Sequence, residues 1–156
     1  MSQLKEKLSP VIANVVVELP LDEAFELFTS GIGSWWPMSS HSVGKDKAEI
    51  CHFEPRVGGE IYELDNEGTR HTWGTILEID APRRVVFSWH PGRAVEKQQT
   101  IEVMFSPDGD LTHVELVHQD WEVFDEKSTQ MREEYEKGWA FVLGECYVGG
   151  VSTQDG

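Results

Sequence analysis

The sequence predicts an α+β fold, in which a curved antiparallel sheet of about seven strands packs on one long C-terminal helix. Two patterns carry this prediction. Residues 129–150 repeat apolar side chains at three, four and seven positions, which is typical of an amphipathic helix. Residues 48–119 alternate apolar and polar side chains in short runs separated by turn residues, which is typical of strands joined by hairpins.

The N-terminal part predicts one strand followed by two short helices. Residues 11–18 alternate well enough to predict the first strand, which ends at Pro20. Asp22 and Glu23 then favour a helix start, because acidic side chains suit the positive end of the helix dipole. Four apolar residues supply the buried face of this helix: Ala24, Phe25, Leu27 and Phe28. Residues 32–36 predict a second helical turn.

The central part predicts six strands in meander order, each paired antiparallel with the next. Residues 38–47 are polar and rich in Ser, and they therefore predict a loop before these strands. The predicted strands are residues 48–54, 60–64, 70–79, 83–90, 98–105 and 111–119. Hairpin turns are predicted at residues 65–68 and 107–110, and residues 120–128 predict a connection to the last helix.

The predicted C-terminal helix has an apolar, aromatic stripe and a charged side. The stripe consists of Met131, Tyr135, Trp139, Val142, Leu143 and Cys146. The charged side consists of Glu133, Glu134, Glu136 and Lys137. Gly149 and Gly150 predict the end of the helix, because glycine often follows the last helical residue. A long aromatic stripe needs a broad surface to pack on, which the sheet provides.

Composition limits the classes of function. The 156 residues favour one domain, residues 1–156 with a core from about 11 to 150. The 13 basic and 28 acidic residues give a formal net charge of −15, which makes nucleic acid and membrane surfaces poor candidate partners. No apolar run approaches the roughly 20 residues of a membrane span, and the polar N-terminus lacks a signal-peptide core. We therefore expect a cytoplasmic protein.

The sequence predicts no cofactor and no metal site. His41, Cys51, His52 and His71 are ligand types, but no two of them have the spacing of a zinc site. Cys51 and Cys146 are predicted to be free thiols, because a reducing compartment disfavours disulfides. The chain has no Gly-x-Ser-x-Gly, P-loop or Gly-x-Gly-x-x-Gly motif, so hydrolase chemistry and nucleotide binding are not indicated.

Several short motifs, together with the order of elements, resemble the START-like (SRPBCC, helix-grip) superfamily. They are Arg56-Val57-Gly58-Gly59, Trp73-Gly74, Pro82 with Phe87-Ser88-Trp89, residues 112–118, and Gly138-Trp139 with Leu143. Within it the chain is similar to the branch named for the activator of the heat-shock-protein-90 ATPase, over residues 11–148. The resemblance implies a seven-stranded sheet gripping the C-terminal helix, with an elongated apolar cavity between them. Members bind lipids, polyketides, hormones or other hydrophobic molecules there, and some catalyse reactions on them.

The chain departs from that branch at two points. Eukaryotic co-chaperones of the same name carry an N-terminal domain with an Asn-Trp-His-Trp type motif, which this sequence lacks. The resemblance therefore gives little reason to expect chaperone activation. Asp120 stands where the branch more often has glycine, which would change the shape of the cavity mouth.

The predicted ligand-binding residues are large aromatic side chains and one histidine that can point at one cavity. They are Trp36, Tyr62, Trp73, Phe87, Trp89, Phe105, His118, Trp121, Tyr135 and Trp139. Core packing also explains most of them, because a buried aromatic removes about 150–250 Å² from water. His118 shares a face with Val114 and Leu116, and it is either a polar group of the cavity or a hydrogen-bonded core histidine.

We expect a protein that binds a small hydrophobic or aromatic molecule between the helix and the sheet, with no need for catalysis. Burial of apolar ligand surface would supply most of the affinity. His118, Tyr135 and Trp139 would orient the ligand. Residues 38–47, with the tryptophans at 35–36, would cover the entrance.

Two alternatives stay open. The first is a cavity enzyme of cyclase or dehydratase type, in which His118 and Tyr135 act as acid and base and Asp120 is a further candidate. The second is a chaperone-related protein-interaction module, which would need an exposed apolar patch. The sequence shows no exposed apolar stretch long enough to favour such a protein partner.

Overall fold

The computed structural model describes residues 8–154 and shows a seven-stranded antiparallel sheet that curls around a long C-terminal helix. The strands are β1 Val11–Val17, β2 Ala48–Phe53, β3 Glu60–Asp65, β4 Arg70–Asp80, β5 Arg84–Trp89, β6 Gln99–Asp108 and β7 Leu111–Gln119. Their order in the sheet is β1-β7-β6-β5-β4-β3-β2, so the first strand lies beside the last one. The predicted α+β, helix-grip fold is confirmed.

The helices frame this sheet. Helix α1 is Leu21–Phe28, and a single 3-10 turn follows at Ile32–Ser34. The C-terminal helix, residues 128–154, joins α2 (Ser128–Phe141), a π-helical stretch (Val142–Tyr147) and α3 (Val148–Gln154). Shorter 3-10 turns occur at Lys45–Lys47 and Val95–Lys97. No helix within residues 8–154 is long and apolar enough to cross a membrane.

Helix α1 buries the four apolar residues that its spacing predicts. Phe25 and Phe28 pack edge-on against Phe105 of β6, with ring centroids 5.1 and 5.7 Å apart. This contact fixes α1 on the sheet. The inner face of β6 at Phe105 is therefore occupied by core packing.

The turn between β6 and β7 is shorter than predicted. Strand β6 continues through Asp108, which pairs with Leu111, so the turn predicted at residues 107–110 shrinks to Gly109 and Asp110. Gly109 has a φ of 64°, a conformation that glycine adopts without steric cost.

The predicted helix end at Gly149 and Gly150 is wrong, because both glycines lie within α3 and the helix continues beyond them. A Cβ atom on Gly150 would lie 2.9 Å from the Cβ of Trp35. The glycine therefore allows the helix to approach Trp35 closely. One turn earlier, the Tyr147 hydroxyl donates to the carbonyl oxygen of Ala24 at 2.8 Å and ties the helix to α1.

The connection predicted at residues 120–128 is largely helical, with 3-10 turns at Trp121–Lys127. Asp120 precedes them with φ 72° and ψ 47°, in the left-handed region that favours glycine. This conformation is the physical reason that glycine suits this position. It also turns the chain so that the Trp121 indole is fully buried and donates to the carbonyl oxygen of His118 at 3.1 Å.

We expect the free energy of unfolding of Asp120→Gly to be about 1 kcal/mol higher than that of Asp120→Ala. Alanine has a steric penalty in the left-handed region that glycine lacks. Urea unfolding followed by circular dichroism measures this difference. The same pair of substitutions at Asp110, which has no positive φ, is the control. There the glycine variant should be no more stable than the alanine variant. Equal stabilities of the two Asp120 variants would contradict this account.

Candidate ligand-binding cavity

A cavity of about 570 Å³ lies at one end of the interface between the helix and the sheet. Its inner wall consists of four buried tryptophans: Trp36, Trp73, Trp89 and Trp139. A loop at residues 40–45 and the turn at residues 91–92 form two further sides. Helix α2 forms the last side through Met131, Tyr135 and Gly138. The volume falls within the range of about 300–1,000 Å³ that is typical of small-molecule sites.

The four tryptophans pack on one another. The ring of Trp36 has its centroid 5.1 Å from that of Trp73 and 6.0 Å from that of Trp139. Trp89 lies 5.7 Å from Trp73 and 5.8 Å from Trp139. Tilted and edge-on rings at these distances attract one another, so the wall is held in shape before any ligand enters.

A buried carboxylate joins the loop to this wall. Glu63 of β3 has 0% exposure, and it accepts hydrogen bonds from the backbone N–H groups of Val43 at 2.6 Å and Gly44 at 2.9 Å. The same side chain accepts a hydrogen bond from the indole nitrogen of Trp73 at 2.7 Å. A carboxylate that is removed from water needs such donors. Glu63 therefore fixes both the loop and the inner wall.

Cys51 and Trp36 make two further contacts around this wall. Cys51 of β2 pairs with Glu63 across the strands, and burial, with the Glu63 charge, raises the pKa of its thiol to about 12. It is a free and protonated thiol at neutral pH, as is expected of a core cysteine. On the loop, the indole nitrogen of Trp36 donates to the carbonyl oxygen of His41 at 2.7 Å.

His118 is fully buried and uses both ring nitrogens inside the core. Its Nδ1 accepts from the indole nitrogen of Trp139 at 2.9 Å, so its Nε2 carries the proton and donates to the Gln99 side-chain oxygen at 2.8 Å. Burial, with the nearby charge of Arg93, holds its pKa well below the ordinary value. His118 is therefore a neutral core histidine with no free nitrogen to offer to a ligand.

A polar edge of the cavity is formed by Trp89 and Tyr135. The Trp89 indole nitrogen is buried, has no well-aligned hydrogen-bond partner among the described residues, and lies against the Tyr135 side chain. Burial raises the pKa of Tyr135, and the Arg93 charge and the Trp89 indole oppose that rise. Arg93 donates to the carbonyl oxygen of Trp89 at 2.9 Å and lies 4.6 Å over the Phe124 ring.

Half of the ten predicted ligand-binding residues lie in the cavity wall. They are Trp36, Trp73, Trp89, Tyr135 and Trp139. Trp73 points inward, with 1% exposure.

The other five do not line this cavity. Tyr62 lies on the outer face of β3, with the guanidinium of Arg70 3.5 Å from its ring centroid. Phe105 packs under α1, and Phe87 packs between neighbouring aromatics of the sheet. His118 and Trp121 stack in the core with centroids 4.4 Å apart. The last four, Phe87, Phe105, His118 and Trp121, fill the interior that the resemblance predicted to be an elongated cavity.

Two residues of the site are absent from the sequence-based prediction. Glu63 belongs to the less hydrophobic alternation set of β3, so its inward direction was not predicted. No local signal identified Arg93, which follows the Pro91-Gly92 turn. Within residues 8–154 no group of three or more histidine, cysteine or carboxylate side chains is arranged to hold a metal ion.

A second depression lies beside α1 and has a volume of about 620 Å³. Its described lining includes Glu23, Glu26 and Ser30 but no aromatic side chain. It therefore lacks the aromatic wall of the first cavity.

The curled seven-stranded sheet around a C-terminal helix, with an aromatic cavity at their interface, is the architecture of the START-like, helix-grip class. The chain belongs to the family described as Activator of Hsp90 ATPase homolog 1-like protein, whose model matches residues 18–145. The resemblance that the short motifs predict is thereby confirmed. The chain has no match among curated proteins.

Three solved structures show what the chain is similar to. One is the anthrahydroquino-γ-pyrone synthase Txn09 complexed with SUM, with 34% identity, a TM-score of 0.58, and coverage of 85% of this chain and 90% of that chain. Another is the self-sacrificing resistance protein CalC from Micromonospora echinospora, with 25% identity, a TM-score of 0.69, and coverage of 94% and 96%. The third is CalU16 from the same organism, with 25% identity, a TM-score of 0.62, and coverage of 92% and 76%.

Proposed function

We propose that this chain binds a small, mainly apolar molecule with a planar aromatic part in the tryptophan-walled cavity. The observation that carries the proposal is the set of four buried tryptophan rings around one cavity of about 570 Å³. Ring faces and edges at fixed positions favour a flat aromatic ligand over a flexible aliphatic one, because aromatic pairs gain energy beyond the area that they bury.

The surroundings of the cavity support the same function. The loop at residues 40–45 is held by Glu63, so the ligand would enter a preformed space, which lowers the entropy cost of binding. Two similar proteins are described as a synthase of an anthrahydroquino-γ-pyrone and as a self-sacrificing resistance protein. The first of these names indicates fused planar rings as a ligand class for this chain.

The second candidate function is catalysis of cyclase or dehydratase type on the same ligand. The similarity to a synthase favours it, and the Tyr135 hydroxyl in the cavity wall provides a possible acid. His118, the other predicted acid–base residue, has both ring nitrogens in core hydrogen bonds. Of the predicted acid–base pair, Tyr135 lines the cavity and His118 does not.

Gly138→Leu tests the proposed site, because position 138 faces the cavity and its nearest neighbour, the His41 side chain, lies 3.9 Å from an added Cβ atom. The larger side chain would occupy ligand space without removing any contact. We expect the affinity for fluorene, measured by equilibrium dialysis, to fall at least fivefold. The recovered ligand, either fluorene or a tested polyketide, is then analysed by mass spectrometry. An unchanged mass indicates binding alone, and a changed mass indicates catalysis.

Gly144→Leu is the matched control, because position 144 is an exposed glycine of the same helix with no atom within 4 Å of an added Cβ. Its fluorene affinity should equal that of the unmodified protein. Equal affinities of the Gly138 and Gly144 variants would place the ligand elsewhere. An unmodified protein that binds no planar tricyclic probe would refute the proposed function.

A further inference from the structure

We propose that the Tyr135 hydroxyl, oriented by the Trp89 indole N–H behind it, forms an edge of the cavity that recognises a carbonyl or enol oxygen on the aromatic ligand. This inference rests on the proposed function and adds the chemistry of one end of the ligand. It divides the cavity into an apolar wall, which binds rings, and a donor edge, which binds an oxygen.

The first observation is the state of the Trp89 indole nitrogen. The other five tryptophans each donate their indole N–H to an oxygen or nitrogen of the protein. Trp89 has 3% exposure, its Nε1 has no well-aligned hydrogen-bond partner among the described residues, and its N–H acts on the Tyr135 hydroxyl, whose pKa it lowers. An indole N–H can only donate, so beside Tyr135 it faces the hydroxyl oxygen and leaves the hydroxyl proton to donate to a ligand oxygen.

The second observation is the position of Tyr135. Its ring lies edge-on to His118 at 4.8 Å and packs on Trp121 at 5.4 Å, so the core fixes its direction. The residue lines the cavity together with Trp89. Because burial raises its pKa, the hydroxyl keeps its proton at neutral pH and is available as a donor.

The charge behind this edge has the sign that an oxygen ligand requires. Arg93 is held beside Trp89 by its hydrogen bond to the Trp89 carbonyl oxygen and by contacts with Gln99 at 3.3 and 3.4 Å. Its positive charge acts on Tyr135 and would stabilise negative charge on a ligand oxygen beside it. Trp89 and Arg93 offer only donors here, so an ammonium group of a ligand would find no acceptor from them.

Fluorene and 9-fluorenone test the inference, because they share a flat tricyclic skeleton and differ by one carbonyl oxygen. We expect the unmodified protein to bind 9-fluorenone about fivefold more tightly than fluorene in equilibrium dialysis. Tyr135→Phe removes the donor and Trp89→Phe removes the N–H that orients it, so each should bring this ratio towards one. The ratio isolates the hydrogen bond, since any loss of shape affects both probes.

Tyr62→Phe is the control, because it removes a tyrosine hydroxyl from the outer face of the sheet and should leave the ratio unchanged. If Trp89→Phe fails to fold by circular dichroism, Tyr135→Phe alone decides. Equal binding of both probes by the unmodified protein, or a preference that survives removal of the donors, would overturn this inference and leave the proposed function intact. Failure of both probes to bind would overturn the proposed function as well.

Discussion

Replacing Glu63 with glutamine is expected to lower the free energy of unfolding by about 3 kcal/mol. The carboxylate accepts hydrogen bonds from two backbone N–H groups and from the Trp73 indole, and glutamine would point an NH₂ group at one or more of these donors. Hydrogen bonds to a charged group contribute about 1.5–3 kcal/mol each, and a buried donor left without a partner adds to the loss. Urea unfolding followed by circular dichroism measures the change.

Glu60→Gln is the matched control for this substitution. Glu60 lies on the outer face of the same strand, is partly exposed and pairs with Arg70 at 2.6 Å. Exposed ion pairs contribute about 0–1 kcal/mol, so a small loss is expected there. In Glu63→Gln, amide hydrogen exchange should also quicken at Val43 and Gly44, because the loop loses its attachment. Similar losses in both variants, with unchanged loop exchange, would refute the role of Glu63.

Acidification is expected to destabilise the protein through His118. Its pKa in the folded protein lies well below the value of 6.5 that the unfolded chain would have. Below pH 6.5 the unfolded chain therefore binds a proton that the folded protein does not, and stability falls as pH falls. This single group should remove on the order of 1 kcal/mol between pH 7.5 and 5.5, which urea unfolding at the two values measures.

His118→Gln should reduce this pH-dependent difference, whatever its effect on stability at pH 7.5. His113 lies on the outer face of the same strand and contacts Asn14 at 3.0 Å, so His113→Gln is the control for loss of a histidine from β7. Only the inner-face substitution is expected to reduce the difference. The same pH-dependent loss in the unmodified protein and in His118→Gln would show that His118 is not its source.

The fold followed from local patterns because each of its elements has a repeating apolar face. Strand β7 is predicted with its observed limits, since Val114, Leu116 and His118 alternate without interruption. The prediction of the helix end at Gly149 and Gly150 was wrong for a different reason. Gly150 marks a close approach to Trp35, and a contact between residues this far apart in sequence leaves no trace in a local window.

The candidate site was predicted less completely, and β3 shows why. In β3, the alternation set with Tyr62 and Leu64 is more hydrophobic than the set with Ile61 and Glu63. The sequence pattern therefore predicts that Tyr62 points inward. The structure directs Ile61 and Glu63 inward instead. A buried glutamate is stable there only because donors from β4 and from the loop meet it. That condition depends on tertiary structure and cannot be read from one strand.

The packing of the indole rings has an optical consequence. Trp36, Trp73, Trp89 and Trp139 have neighbouring centroids within 6.0 Å, and Trp35 lies 5.8 Å from Trp36. Rings this close exchange excitation energy faster than they emit, so light absorbed by one indole is emitted by the group. A molecule that quenches any one of these indoles would then reduce the fluorescence of the whole group. The emission would report whether the cavity is occupied, but not which ring the molecule contacts.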